Sequence, residues 1–134
     1  MRIAVDVMGG DHGCEVVVSG VKLALATDPS ISALYLVGDE ESIRASLRKV
    51  RLSDARLQVL HCTEVLTMED KPLEAIRKKK DSSMVRAIEL VREDKADAII
   101  SPGNTGALVA GSMKLRRLEG VERPAIAARM PSRT

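Results

Sequence analysis

Aromatic side chains are nearly missing from this 134-residue chain, which has one Tyr and neither Phe nor Trp. That lack excludes stacking platforms for single-stranded nucleic acid, which need aromatic faces. It leaves Val, Ile, Leu, Ala and Met to build the core. Cysteine is scarce as well: Cys14 and Cys62 form no spaced framework, so they read as free thiols in a reducing cytoplasm. No apolar run approaches the ~20 residues that span a bilayer. Met1-Arg2 leads into a strand with neither an apolar signal region nor an arginine-rich amphipathic leader, and a cytoplasmic location is expected. A net charge of +2 is too small to imply a polyanion partner, so no nucleic acid is expected. What remains is an ordinary globular composition, 45% apolar and 30% charged, long enough for one domain with its own core.

Strands and helices alternate along the chain. Arg2–Val7 is the first predicted strand. Glu15–Thr27 carries Val17, Val21, Ala24 and Leu25 at helical spacing, and Asp28-Pro29 closes it. Ala33–Val37 is the second strand, ended by Gly38-Asp39, with Asp39 placed to cap a helix over Glu40–Lys49. Leu57–Cys62 is the third strand. Thr63–Lys71 lacks periodicity and reads as a long functional loop. Pro72 suits the first turn of a short helix ending in Arg77-Lys78-Lys79-Lys80, and Asp81-Ser82-Ser83 caps another over Met84–Glu93. Ala98–Ile100 is the fourth strand, Thr105–Leu118 a helix and Ala125–Ala128 a fifth strand. The alternation predicts one α/β domain over residues 1–134, a three-layer αβα arrangement with a mainly parallel sheet.

Two polar, glycine-containing loops follow predicted strands. Met8-Gly9-Gly10-Asp11-His12-Gly13 follows the first, and Ser101-Pro102-Gly103-Asn104-Thr105-Gly106 follows the fourth and opens a small-residue helix. Backbone N–H groups, hydroxyls and a helix dipole converge at such a point, which attracts an anion, usually phosphate. The plain alternative is a strand-to-helix turn in which Gly103 supplies a positive φ and Thr105 caps the helix. Neither a Walker loop nor a dinucleotide fingerprint is present. Asp6 and Asp11 sit where carboxylates repel phosphate, so their expected task is to hold loop N–H groups or pair a cation. No third carboxylate or histidine has ligand-like spacing, and no metal is expected. His12 reads as a solvent-facing loop residue, Cys14 as a packed helix-start thiol, and His61 and Cys62 as core or edge residues. Arg77, Lys78, Lys79 and Lys80 read either as a solvated helix end or as a docking patch for an acidic partner.

Together these segments resemble the phosphate acyltransferases of bacterial phospholipid synthesis, the PlsX family. The resemblance rests on Asp6–Asp11, on Lys79-Lys80-Asp81-Ser82-Ser83-Met84, on Ala96-Asp97-Ala98 leading into Ser101–Ala107, and on Leu118-Glu119-Gly120-Val121-Glu122-Arg123-Pro124-Ala125. Cys14 stands where many members carry proline, and Pro102 where alanine is common. The match covers nearly the whole chain but less than half of a typical member, so the chain corresponds to the N-terminal part of a longer protein.

The resemblance implies a fold similar to that of isocitrate and isopropylmalate dehydrogenases. It implies transfer of a fatty acyl group from acyl–acyl carrier protein to inorganic phosphate, giving acyl phosphate, with no cofactor. It further implies a homodimer in the cytoplasm, with peripheral membrane contact made by parts outside this chain. On this reading Asn104 is the candidate catalytic donor. Asp6, Gly9, Gly10, Asp11, Ser82, Ser83, Ser101, Gly103, Thr105 and Gly106 bind phosphate or substrate, and Arg77–Lys80 dock the carrier protein. A dehydrogenase of the isocitrate type and a non-catalytic domain binding anions or carrier proteins are the alternatives.

Overall fold

A computed structural model of the chain describes residues 1–115, 117–122 and 125–127. Four parallel strands form one sheet: β1 (Arg2–Asp6), β2 (Ala33–Gly38), β3 (Leu57–His61) and β4 (Ala98–Ile100), in the order β3-β2-β1-β4. Helices α1 (Gly13–Thr27) and α2 (Glu40–Val50) alternate with the first three strands. α3 (Pro72–Lys78), α4 (Ser83–Arg92) and α5 (Thr105–Ser112) complete the chain order around β4.

Side-chain alternation along the strands divides the core into two faces. Val5, Val7, Leu34 and Leu36 meet Val21 and Leu25 of α1 and Ile43 of α2. Ala4 and Val37 face the other way, onto Ala87 and Leu90 of α4. Leu66, Ala75, Ile76, Met84, Ile88 and Ala107 join α3, α4 and α5 beyond them. Burial of Leu36 and Ile43, both fully enclosed, contributes about 1.5–3 kcal/mol each. The sheet is therefore covered on both sides, as the three-layer expectation requires.

Asp39 caps α2 as predicted, accepting from the Ser42 N–H at 2.9 Å. The last helix is shorter than its apolar pattern suggests. It ends at Ser112 rather than Leu118, because Lys114 and Leu115 turn their N–H groups back to Gly111 and Ser112. The fifth strand does not form over Ala125–Ala127, and Ala128 lies outside the described residues, as do Met130–Thr134. The predicted loop over Thr63–Lys71 is largely irregular, but Glu64 pairs with Ser82 in a single parallel bridge and Leu66 is buried.

Candidate functional site

The chain steps from β1 outward through β2 to β3, then returns to the other side of β1 at β4. The loops after β1 and β4 consequently leave the sheet side by side, the place where open α/β sheets form their ligand crevice. Strand register decides what meets there. Ile3, Ala4 and Val5 pair with Ala98, Ile99 and Ile100, so one more step sets Asp6 beside Ser101. Asp6 is 1% exposed. Its Oδ1 accepts from the N–H groups of Met8 at 3.2 Å and Gly9 at 3.1 Å, and its Oδ2 accepts from Ser101 Oγ at 2.7 Å. Ser101 Oγ in turn accepts from the Gly103 N–H at 3.1 Å. One buried carboxylate thus pins both loops. Asp6 fulfils the expectation that it holds loop N–H groups, and it does so behind the loops rather than toward a ligand.

Glycine is required by this proximity. A Cβ on Gly9 would lie 2.8 Å from Gly103 N and 2.9 Å from Gly103 Cα. Gly10 has a φ of +85 and packs on Pro102. The positive φ anticipated for Gly103 does not occur; a Cβ there would make tight contacts of 3.3 Å with Gly9 Cα, Met84 Cε and Ser101 Oγ, so its lack of a side chain eases the close approach of the loops. A Cβ on Gly106 would approach Pro72 Cγ to 2.8 Å, so Gly106 lets α5 start against α3. Among the described residues, the backbone N–H groups of Gly10, Thr105 and Gly106 have no backbone acceptor. The last two open α5 at its positive end.

Several predicted residues have other partners. Asn104, not Thr105, caps α5: its Oδ1 accepts from the Ala107 N–H at 3.0 Å. The Asn104 amide Nδ2 faces the carbonyls of Thr67 and Met68 at 3.4 Å and of Asp70 at 3.3 Å. Both ends of the candidate catalytic side chain are therefore engaged within the protein. Thr105 is exposed. Ser82 and Ser83 are buried at the start of α4, where Ser82 Oγ accepts from the Val85 N–H. The Ser83 N–H donates to the Glu64 carbonyl, so neither serine opens onto a crevice. Lys79 departs from the docking cluster, because its Nζ is tied to Asp70 and to the Val65 carbonyl. Arg77, Lys78 and Lys80 are exposed, with Lys78 3.5 Å from Glu74.

Two clefts adjoin the pinned loops. One, of about 410 Å³, runs between Met8, Gly10, Asp11 and the segment Val65–Glu69. The other, of about 210 Å³, is lined by residues 9–13, Val16, Val17, Met68 and Pro102. A cleft of about 440 Å³ at Arg44–Ser53 brings none of the loop residues together, so size alone does not select the site. The lack of periodicity marks the 63–71 loop in the sequence but does not single out Thr67, Met68 or Asp70 within it. The spacing Thr67-x-x-Asp70, a self-bonding turn pattern, is the signal that could have found them.

Neither thiol is activated. Burial pushes the Cys62 thiol up to about 12, and burial also raises Cys14. Among the described residues no group of three His, Cys, Asp or Glu side chains converges, and no helix is long and apolar enough to cross a membrane.

The family profile described as fatty acid synthesis protein matches residues 1–134. The chain belongs to the fatty acid synthesis protein family. Its relatives agree with that placement. A phosphate acyltransferase of Exiguobacterium is 47% identical over 136 residues, covering 100% of this chain and 40% of the relative. One of Akkermansia muciniphila is 47% identical over 133 residues, covering 98% and 38%. One of Methylococcus capsulatus is 50% identical over 134 residues, covering 98% and 39%. The chain spans about two fifths of the length of the curated relatives it matches. Membership in this family bears out the phosphate acyltransferase resemblance along the chain.

Proposed function

We propose that the chain is the N-terminal part of an acyltransferase that moves a fatty acyl group from acyl–acyl carrier protein to inorganic phosphate. One observation carries the reading: Asp6 and Ser101 pin two glycine loops at the switch point of the sheet. The backbone N–H groups of Gly10, Thr105 and Gly106, which have no backbone acceptor among the described residues, are the candidate donors to that anion. Phosphate supplies the nucleophilic oxygen, so no activated side chain is needed. Its attack on the thioester carbonyl gives a tetrahedral oxyanion, and collapse expels the carrier's thiolate and leaves acyl phosphate. The protein's work is to orient phosphate and stabilise that oxyanion. The two unactivated thiols fit this division of labour.

The same reading includes a fold akin to that of isocitrate and isopropylmalate dehydrogenases. It also includes a cytoplasmic homodimer and peripheral membrane contact made outside this chain. Arg77, Lys78 and Lys80 are its docking residues for the carrier protein. Hydroxylamine trapping on the full-length protein tests it: incubation with acyl–carrier protein should yield acyl hydroxamate in a phosphate-dependent way, above the thioester background, without nucleotide and in the presence of chelator. Strict dependence on NAD or a metal, with nothing trapped, would establish the dehydrogenase instead. Phosphate binding without turnover would establish a binding domain.

A further inference from the structure

Val65–Glu69 walls the larger cleft opposite Met8, Gly10 and Asp11, yet neither it nor the adjoining Asp70 forms helix or strand. Side chains from elsewhere give it its shape. Lys79 Nζ donates to the Val65 carbonyl at 2.9 Å and to Asp70 Oδ2 at 2.7 Å. The same Asp70 oxygen accepts from the Thr67 N–H at 2.8 Å and from Thr67 Oγ1 at 3.1 Å. One ammonium and one carboxylate fold the segment into a closed turn. The hydrogen bond from Lys79, foremost, holds the Asp70 carboxyl below the usual carboxylate range.

On the other side stands Asn104, the residue that ends the β4 loop. Its amide offers two N–H groups to the three carbonyls of Thr67, Met68 and Asp70, so those bonds are long and shared. Lys79 and Asp70 are about one third and one quarter exposed, enough enclosure for the pair to outweigh an ordinary surface bridge. Removing the ammonium would loosen the wall and leave the Asp70 carboxylate without its cation. Lys95 is 60% exposed, pairs only with Glu93 among the described residues and belongs to neither loop, so it provides a control.

We propose that Lys79 and Asn104 are positioning residues that clamp the segment Val65–Asp70 beside the glycine loops and thereby set how tightly the cleft holds its anionic ligand. The proposal rests on the phosphate-binding reading of the site.

Two measurements on the 134-residue chain test it together: amide hydrogen exchange over residues 65–70 and titration with inorganic phosphate. Lys79→Met should speed exchange in that segment and raise the phosphate dissociation constant about tenfold. Lys79→Arg, which retains the charge and a donor, should restore affinity to within about threefold of wild type. Lys95→Met should change neither quantity. Lys79→Gln replaces Lys79→Met should the latter not fold, and Asp70→Asn should loosen the same segment. Exchange as slow as wild type in these variants overturns the clamp. A loosened segment with unchanged phosphate affinity overturns its part in binding. A wild-type chain that takes up no phosphate refutes the functional reading, and with it the ligand half of the proposal, even where exchange upholds the clamp.

Discussion

Replacing Gly9 with alanine tests whether the two glycine loops are held at contact distance. The new methyl carbon would lie 2.8 Å from Gly103 N, 2.9 Å from Gly103 Cα and 2.9 Å from Asp6 Oδ2. Carbon–heavy-atom contacts are most favourable at ~3.5 Å or more, so the overlap is about 0.6 Å. Two of the three atoms are backbone, and the third belongs to a buried carboxylate with three donors. The relief available is to part the loops. Parting them by that amount would stretch the 2.7 Å bond from Ser101 Oγ to Asp6 toward ~3.3 Å, beyond the useful range for a hydroxyl donor. Overpacking costs about 1–3 kcal/mol, and a weakened bond to a buried charge adds about 1 kcal/mol. A total of about 2–4 kcal/mol corresponds to a fall of about 7–14 °C in melting temperature for a chain of this length. Gly20 provides the contrast: it lies inside α1, and a methyl group added there would meet nothing within 4 Å. Gly20→Ala should therefore stabilise by about 0.5–1 kcal/mol through helix propensity alone. Thermal melts followed by circular dichroism compare the two. A Gly9→Ala protein that melts within ~2 °C of wild type would refute the close contact between the loops.

Acid should destabilise the protein between about pH 4 and pH 2. Asp54 and Asp97 are held at about 2, foremost by side-chain hydrogen bonds to Arg56 and Arg2 respectively. Because these folded-state values lie below the unfolded ~3.9, the stabilisation is present above that pH and disappears as pH falls through the folded values. Melting temperature measured across this range should show a shallower acid slope in Asp97→Asn, and an identical slope would count against the Arg2 pairing. For docking, Lys78→Glu with Lys80→Glu should raise KM for the carrier protein and leave KM for phosphate unchanged. The difference should shrink at high salt, since exposed charges act over ~8 Å at physiological ionic strength. Equal effects on both substrates would exclude a docking role for this helix end.

Much of this fold was legible from local pattern. Helical spacing of Val21 and Leu25, the Asp39 cap and the β-rich runs at Ala33 and Leu57 are properties of short segments, and each formed nearly where expected. Local pattern failed where apolar residues continued past a turn. Met113, Leu115 and Leu118 continue the apolar spacing, but the return of two N–H groups to Gly111 and Ser112 stopped α5 first. The two glycine loops were also legible, because glycine beside a strand end marks backbone that must turn or be approached closely.

What those loops do to each other was decided only in three dimensions. Asp6 and Ser101 are far apart in sequence, and only the return of β4 to the free side of β1 sets them in register. The same holds for Asn104 and Lys79. As sequence, the first is a loop amide suited to an anion and the second one cation in a basic run. Folding places each beside the 65–70 segment, where backbone carbonyls and the Asp70 carboxylate claim their N–H groups. Residue chemistry determined which side chains were able to donate or accept. The packing of non-local segments determined which partners they found, because a hydrogen bond depends on distances that a linear pattern does not contain.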